Sequence, residues 1–235
     1  MFAKTMKLLF LSTIFILGLA ACNRNEDMPD DNVSYVSSSL DGVMINGVRW
    51  ATRNVDTPGT FAASPEQTGM FFQWNRRKGW PATGDVTDWE NEQYTDTYWT
   101  RANDPCPPGW RVPTIQEFML LSEATTGLTF DSGAWHYYLI RHRARHWVEN
   151  WRNTGVNGWI LGAESNFIFL PAVGERNWRG VFELAGVIAY YWSSTADTRG
   201  LETDGRLWFE FFTGLGTASG SEASPGRPIR CVADE

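Results

Sequence analysis

Pro113-Thr114-Ile115-Gln116-Glu117-Phe118-Met119-Leu120-Leu121-Ser122-Glu123-Ala124 carries the clearest helix signal in the 235-residue chain. Pro113 bars helical continuation toward the N-terminus, and Thr114 with Glu117 forms a T-x-x-E capping box. Phe118, Leu121 and Ala124 then fall at helical spacing ahead of Gly127. This pattern predicts a helix over about Thr114–Thr125. A second helical pattern runs from Gly133 to Trp151, with Trp135, Tyr138, Leu139 and His142 at i, i+3, i+4 and i+7. On the N-terminal side, Gly42-Val43-Met44-Ile45-Asn46-Gly47-Val48-Arg49-Trp50 reads as a hairpin, because Asn-Gly is the pair best able to take the two positive φ angles of a type I′ turn. Between hairpin and helix, Thr57 to Asp104 mixes Gly, Pro, Asp and Thr with aromatics and reads as long loops pinned by rings. Beyond residue 165 short β-prone runs dominate: Asn166–Pro171, Gly180–Glu183, Tyr190–Ser194, Arg206–Phe212 and Pro228–Val232.

The composition, 43% hydrophobic and 20% charged, excludes a disordered chain and a polytopic membrane protein. The apolar run Leu8–Ala21 is shorter than the roughly 20 residues that cross a bilayer, and it follows Lys4 and Lys7, so it reads as a secretion signal. Its end, Leu19-Ala20-Ala21-Cys22, resembles the lipobox of bacterial lipoproteins, in which such a cysteine is lipidated. Residues 22–40 are polar and acidic at first and read as a tether; acidic residues just after that cysteine resemble surface-export signals of Bacteroidetes lipoproteins. The organisation expected is signal peptide 1–21, tether 22–40 and one domain 41–235, which holds all 13 Trp. Without residues 1–21 the chain carries 18 basic against 27 acidic residues, which argues against a nucleic-acid partner. With Cys22 assigned to lipid, Cys106 and Cys231 remain as an even pair in an oxidising compartment, and a Cys106–Cys231 disulfide is expected.

Five segments, Trp50–Val55, Asp104–Thr114, Phe169–Gly174, Tyr191–Thr195 and Ile229–Val232, together resemble the Fibrobacter succinogenes major paralogous domain family over roughly residues 40–235. The resemblance implies an α+β, C-type-lectin-like fold of the formylglycine-generating-enzyme type, with short twisted antiparallel sheets, one or two main helices and long loops, on secreted or surface proteins. It also implies that Cys106 and Cys231 are the two family cysteines, Trp110 and Trp192 core aromatics, and Gly109 and Gly174 turn glycines. Thr195–Pro228 corresponds to a ligand-display segment.

No enzyme or cofactor is expected. The cysteine pair through which the related oxidases bind copper is missing, because Cys106 and Cys231 match structural positions. His142 and His146 have the i, i+4 spacing of zinc sites on a helix, but the Glu of H-E-x-x-H is absent and Arg141, Arg143 and Arg145 surround them. Neither the E-P-N nor the Q-P-D tripeptide of calcium-dependent sugar binding occurs, and Trp89-Glu90-Asn91 reads as a loop anchored by Trp89. Strand alternation puts Arg206, Trp208, Glu210 and Phe212 on one face of a strand, opposite Leu207, Phe209 and Phe211. With Trp178 and Arg179 these form the expected ligand site, an aromatic anchor with a polar rim. The expected function is a non-catalytic, lipid-anchored surface module at the outer membrane that binds a glycan or a protein. The second reading is an accessory or tip subunit of a fimbria-like assembly, and the third an enzyme acting on polysaccharide or protein.

Overall fold

The computed structural model describes residues 42–91, 98–123, 145–163, 166–196, 206–212, 215–221 and 225–234. Its strands are β1 (Gly42–Ile45), β2 (Val48–Ala51), β3 (Phe71–Gln73), β4 (Gly79–Trp80) and β5 (Trp110–Arg111), followed by the helix α1 (Ile115–Glu123). Then come β6 (Arg145–Val148), β7 (Gly158–Ala163), β8 (Asn166–Pro171), β9 (Glu175–Arg176), β10 (Phe182–Glu183) and β11 (Ala189–Ala196). The last are β12 (Arg206–Phe212), β13 (Leu215–Ser221), β14 (Gly226–Arg227) and β15 (Val232–Ala233). They form four sheets, ordered β1-β2-β15-β5, β10-β9-β14-β3-β4, β11-β12-β13 and β6-β7-β8.

This is a β-rich fold with several sheets, and the α+β, C-type-lectin-like expectation is corrected accordingly. Among the described residues α1 is the one α-helix. The second expected helix fails over its described part, since Arg145–Val148 is a strand paired with Gly158–Leu161. Trp147 sits opposite Trp159 there, with ring centroids 5.5 Å apart. Cross-strand aromatic packing outweighs the helical spacing of isolated residues. His146 lies in that strand, and residues 124–144, His142 among them, lie outside the described residues. So do the expected signal peptide and tether.

The local signals hold. Val43 pairs with Trp50 and Ile45 with Val48 around a turn in which Asn46 and Gly47 have φ of 48° and 80°. Thr114 and Glu117 cap α1 reciprocally: the Glu117 N–H donates to Thr114 Oγ1 at 3.2 Å, and the Thr114 N–H to Glu117 Oε2 at 2.7 Å.

Successive residues of one strand enter different cores, so most strands need no helix as cover. Trp50, Tyr191 and Val232 pack with Phe118, Leu161 and Leu170 in one cluster, while Ala51, Trp192 and Cys231 pack with Phe72 and Trp74 in another. In β8, Ile168 and Leu170 face the first cluster, and in a third Phe169 stacks on Trp151 while Phe167 meets it edge-on. Two fully buried indoles tie distant segments together: Trp192 Nε1 donates to Phe72 O at 2.7 Å and Trp74 Nε1 to Ser193 O at 3.0 Å. The stretch read as long loops contains β3 and β4, with Phe71, Phe72, Trp74 and Trp80 buried.

The C-terminal ten residues hold the sheets together. β14 lies between β9 and β3, and β15 between β2 and β5. The Cys106–Cys231 disulfide forms as expected, with Cα atoms 6.1 Å apart and a sequence separation of 125. Arg230, fully buried, donates from Nε to Asn54 Oδ1 at 3.0 Å and from Nη1 to Ala51 O at 3.2 Å. Arg227 pairs with Glu175 at 2.7 Å, both side chains almost entirely enclosed.

Candidate recognition surface

Two places among the described residues combine exposure, defined geometry and chemistry. The first is the turn between β9 and β10. Asn177 organises it through its side chain: Oδ1 accepts the N–H of Arg179 at 2.9 Å and that of Val181 at 3.2 Å, and Nδ2 donates to Glu183 Oε2 at 2.9 Å. Arg176 anchors it from beneath. That buried guanidinium donates to three backbone carbonyls, Pro81 O at 2.8 Å, Gly180 O at 2.6 Å and Gly84 O at 2.8 Å, tying the turn to the 81–84 loop. Burial pushes the Arg176 pKa down from its ordinary value, with Asp85 opposing, and the group stays charged. On this support Trp178 stands 52% exposed with the Arg179 guanidinium carbon 4.2 Å above its ring. Val181, Leu184 and Val187 are exposed nearby in sequence.

The second place is a pocket of about 330 Å³ between the β5–α1 junction and the end of the chain. Asp104 is its fixed point. Its two carboxylate oxygens accept the N–H of Cys106 at 2.9 Å and of Val112 at 3.0 Å, which closes the Pro-Cys-Pro-Pro-Gly-Trp loop around the disulfide. Burial raises the Asp104 pKa, against the lowering by those two bonds and by Arg101. Arg111 forks onto Glu117 at 2.9 and 2.6 Å. The hydrogen bonds it donates to Glu117 raise the Arg111 pKa. Burial alone would raise the Glu117 carboxyl, but the bonds from Arg111 and Thr114 together hold it below its ordinary value. Arg101 reaches Asp234 at 2.6 Å at the mouth. Trp99, edge-on to Trp74 with centroids 5.4 Å apart, forms an apolar wall, and Thr114 and Ser194 add hydroxyls.

A family model, the Fibrobacter succinogenes major domain, matches residues 43–233. The chain belongs to the Fibrobacter succinogenes major domain family. No curated protein and no solved structure matches it. In this major domain the five sequence segments that carried the resemblance meet at structural joints: Asn54 with Arg230, Cys106 with Cys231, and the Tyr191 hydroxyl with the carbonyl of Pro171. Trp110 is only half-buried, against Phe61 at 5.4 Å, whereas Trp192 is fully enclosed. Gly109 and Gly174 both adopt left-handed φ, at 82° and 67°.

The expected site residues fall on two elements. Trp178 and Arg179 share a turn, while Arg206, Trp208, Glu210 and Phe212 lie on β12, placed by register: Trp208 opposite Trp192, Glu210 between Tyr190 and Thr217, and Phe212 opposite Leu215. Of the display segment, residues 197–205, 213–214 and 222–224 lie outside the described residues. Trp89 anchors its loop against Trp80 at 5.1 Å and Glu90 pairs with Arg76 at 3.1 Å, as the loop reading had it. No cluster of three or more His, Cys, Asp or Glu suited to a metal occurs among the described residues, and none of their helices is long and apolar enough to cross a membrane. The pocket was not foreseen. Arg101, Asp104 and Arg111 flank Cys106 in sequence and gave a charge-cluster signal, but nothing local joins Asp234 to them.

Proposed function

We propose that this major-domain chain is a non-catalytic recognition module, anchored by lipid at Cys22 to the outer membrane and displayed at the cell surface, where it binds a glycan or a protein. The observation that carries the reading is Trp178. A large indole is held half in water on a turn with its own side-chain scaffold and a buried arginine beneath it, and a rigid exposed aromatic is costly to keep unless a partner covers it. The flanking Arg179 and Glu183 supply the polar rim that surrounds such anchors at interfaces. The lipobox-like Leu19-Ala20-Ala21-Cys22 and the acidic residues after it support the anchored, outward-facing placement.

The test uses the full chain solubilised in detergent, applied to arrays of host and bacterial glycans and to surface extracts in pull-downs. Trp178→Ala should weaken the binding found by tenfold or more while leaving thermal unfolding unchanged. Unchanged affinity in a folded variant would refute the assignment of the site to this turn.

A further inference from the structure

The pocket beside the disulfide has a donor and acceptor arrangement that selects one kind of ligand. Asp104 is committed to two backbone N–H groups and Glu117 to Arg111 and the α1 cap, so neither carboxylate is available as a ligand group in the described geometry. What faces solvent at the mouth is the Arg101–Asp234 pair, with side chains 57% and 39% exposed. A vicinal diol fits such a pair without breaking it, since one hydroxyl donates to the carboxylate and its neighbour accepts from the guanidinium.

Charge selects further. Two guanidinium groups, Arg101 and Arg111, are matched by three carboxylates, Asp104, Asp234 and Glu117. An anion entering would meet Asp234, and a cation would meet Arg101. A zwitterion would have to pull the Arg101–Asp234 pair apart. Trp99 offers the apolar wall on which the C–H face of a pyranose packs, and Ser194 adds a hydroxyl that both donates and accepts, the Thr114 hydroxyl being held in the α1 cap. The volume, about 330 Å³, lies at the small end of ligand pockets and suits a single ring. We infer that this pocket seats one neutral sugar ring of a glycan. The inference rests on the reading of the chain as a recognition module but is independent of the Trp178 turn.

The test titrates the full chain in detergent with the methyl glycosides of glucose, galactose and mannose, and separately with glucuronate and with alanine. The indole N–H resonance of Trp99, assigned through Trp99→Phe, reports on the pocket, and that of Trp178 on the turn. A shift at Trp99 with one or more neutral glycosides, absent with glucuronate and alanine, is expected. Arg101→Gln should weaken that binding by about tenfold, Asp234→Asn should weaken it comparably, and Trp178→Ala should leave it unchanged. Both pocket positions are at the surface, and unchanged thermal unfolding would show that the variants fold. Tighter binding of glucuronate or alanine, equal binding by Arg101→Gln and Asp234→Asn, or silence of Trp99 toward every neutral glycoside would overturn the inference. Shifts confined to Trp178 would overturn it too, while upholding the module reading.

Discussion

Replacing Asn54 by alanine tests whether two segments 176 residues apart are locked by one side chain. Asn54 is fully buried; Oδ1 accepts from Arg230 Nε at 3.0 Å, and Nδ2 donates to Thr68 O at 3.0 Å. A hydrogen bond to a charged group contributes about 1.5–3 kcal/mol and a neutral one about 0.5–1.5 kcal/mol, so Asn54→Ala should cost about 2–4 kcal/mol. For a domain of this size that is a fall in Tm of roughly 4–16 °C. The cycle completed by Arg230→Met and the double variant isolates the pair, and its coupling energy should be about 1.5–3 kcal/mol, the double variant being less damaged than the sum of the singles. Equilibrium urea unfolding of the oxidised chain, followed by tryptophan fluorescence, measures all four proteins. A cost for Asn54→Ala below about 0.5 kcal/mol, or a coupling near zero, would refute the lock; surface changes sit within that margin.

Three further outcomes follow from the same geometry. Removing the disulfide as Cys106→Ala/Cys231→Ala should lower stability by about 5 kcal/mol in the chain-entropy model for a loop of 125 residues, measured in the same urea assay; a loss under 1 kcal/mol would contradict it. Glu117 has a depressed folded pKa, so its contribution is whole above the ordinary value of 4.5 and is lost as pH falls toward the folded value. Asp104 has a raised folded pKa and acts with the opposite sign, so Glu117→Gln should lose less stability than the parent between about pH 5 and pH 3; a steeper loss would reverse the assignment. Cys22→Ser should abolish metabolic labelling with radioactive palmitate and move the chain out of the membrane fraction, and retained labelling would place the lipid elsewhere.

Features with a local cause were legible in the sequence. Asn46-Gly47 and Thr114/Glu117 specify a turn and a cap within four residues, and both form as read. The disulfide followed from counting once Cys22 is set aside for lipid, since the two cysteines left allow one pairing. The residues that carried the Gly133–Trp151 pattern lie outside the described residues; its described part, Arg145–Val148, is a strand because the deciding contact, Trp147 with Trp159, is made across a hairpin and leaves no mark in local spacing. The positions of β14 and β15 were illegible, because two-residue strands carry no periodicity and their register is set by partners more than 150 residues away for β2 and β3. The recognition turn was visible as a Trp-Arg pair beside Asn, whereas the pocket draws on four separated segments.

The placement of β14 and β15 bears on how the chain comes to fold as it emerges. The middle of two sheets is supplied by residues 226–233, which follow all of their strand partners in sequence. Until they arrive, β2 and β5 in one sheet and β3 and β9 in the other present unpaired edges, and such edges recruit other strands. The hairpin and α1 can form early, but neither sheet can close and Cys106 cannot meet Cys231 before residues 226–233 join. A chain wired this way closes two sheets and its disulfide together, in one late step.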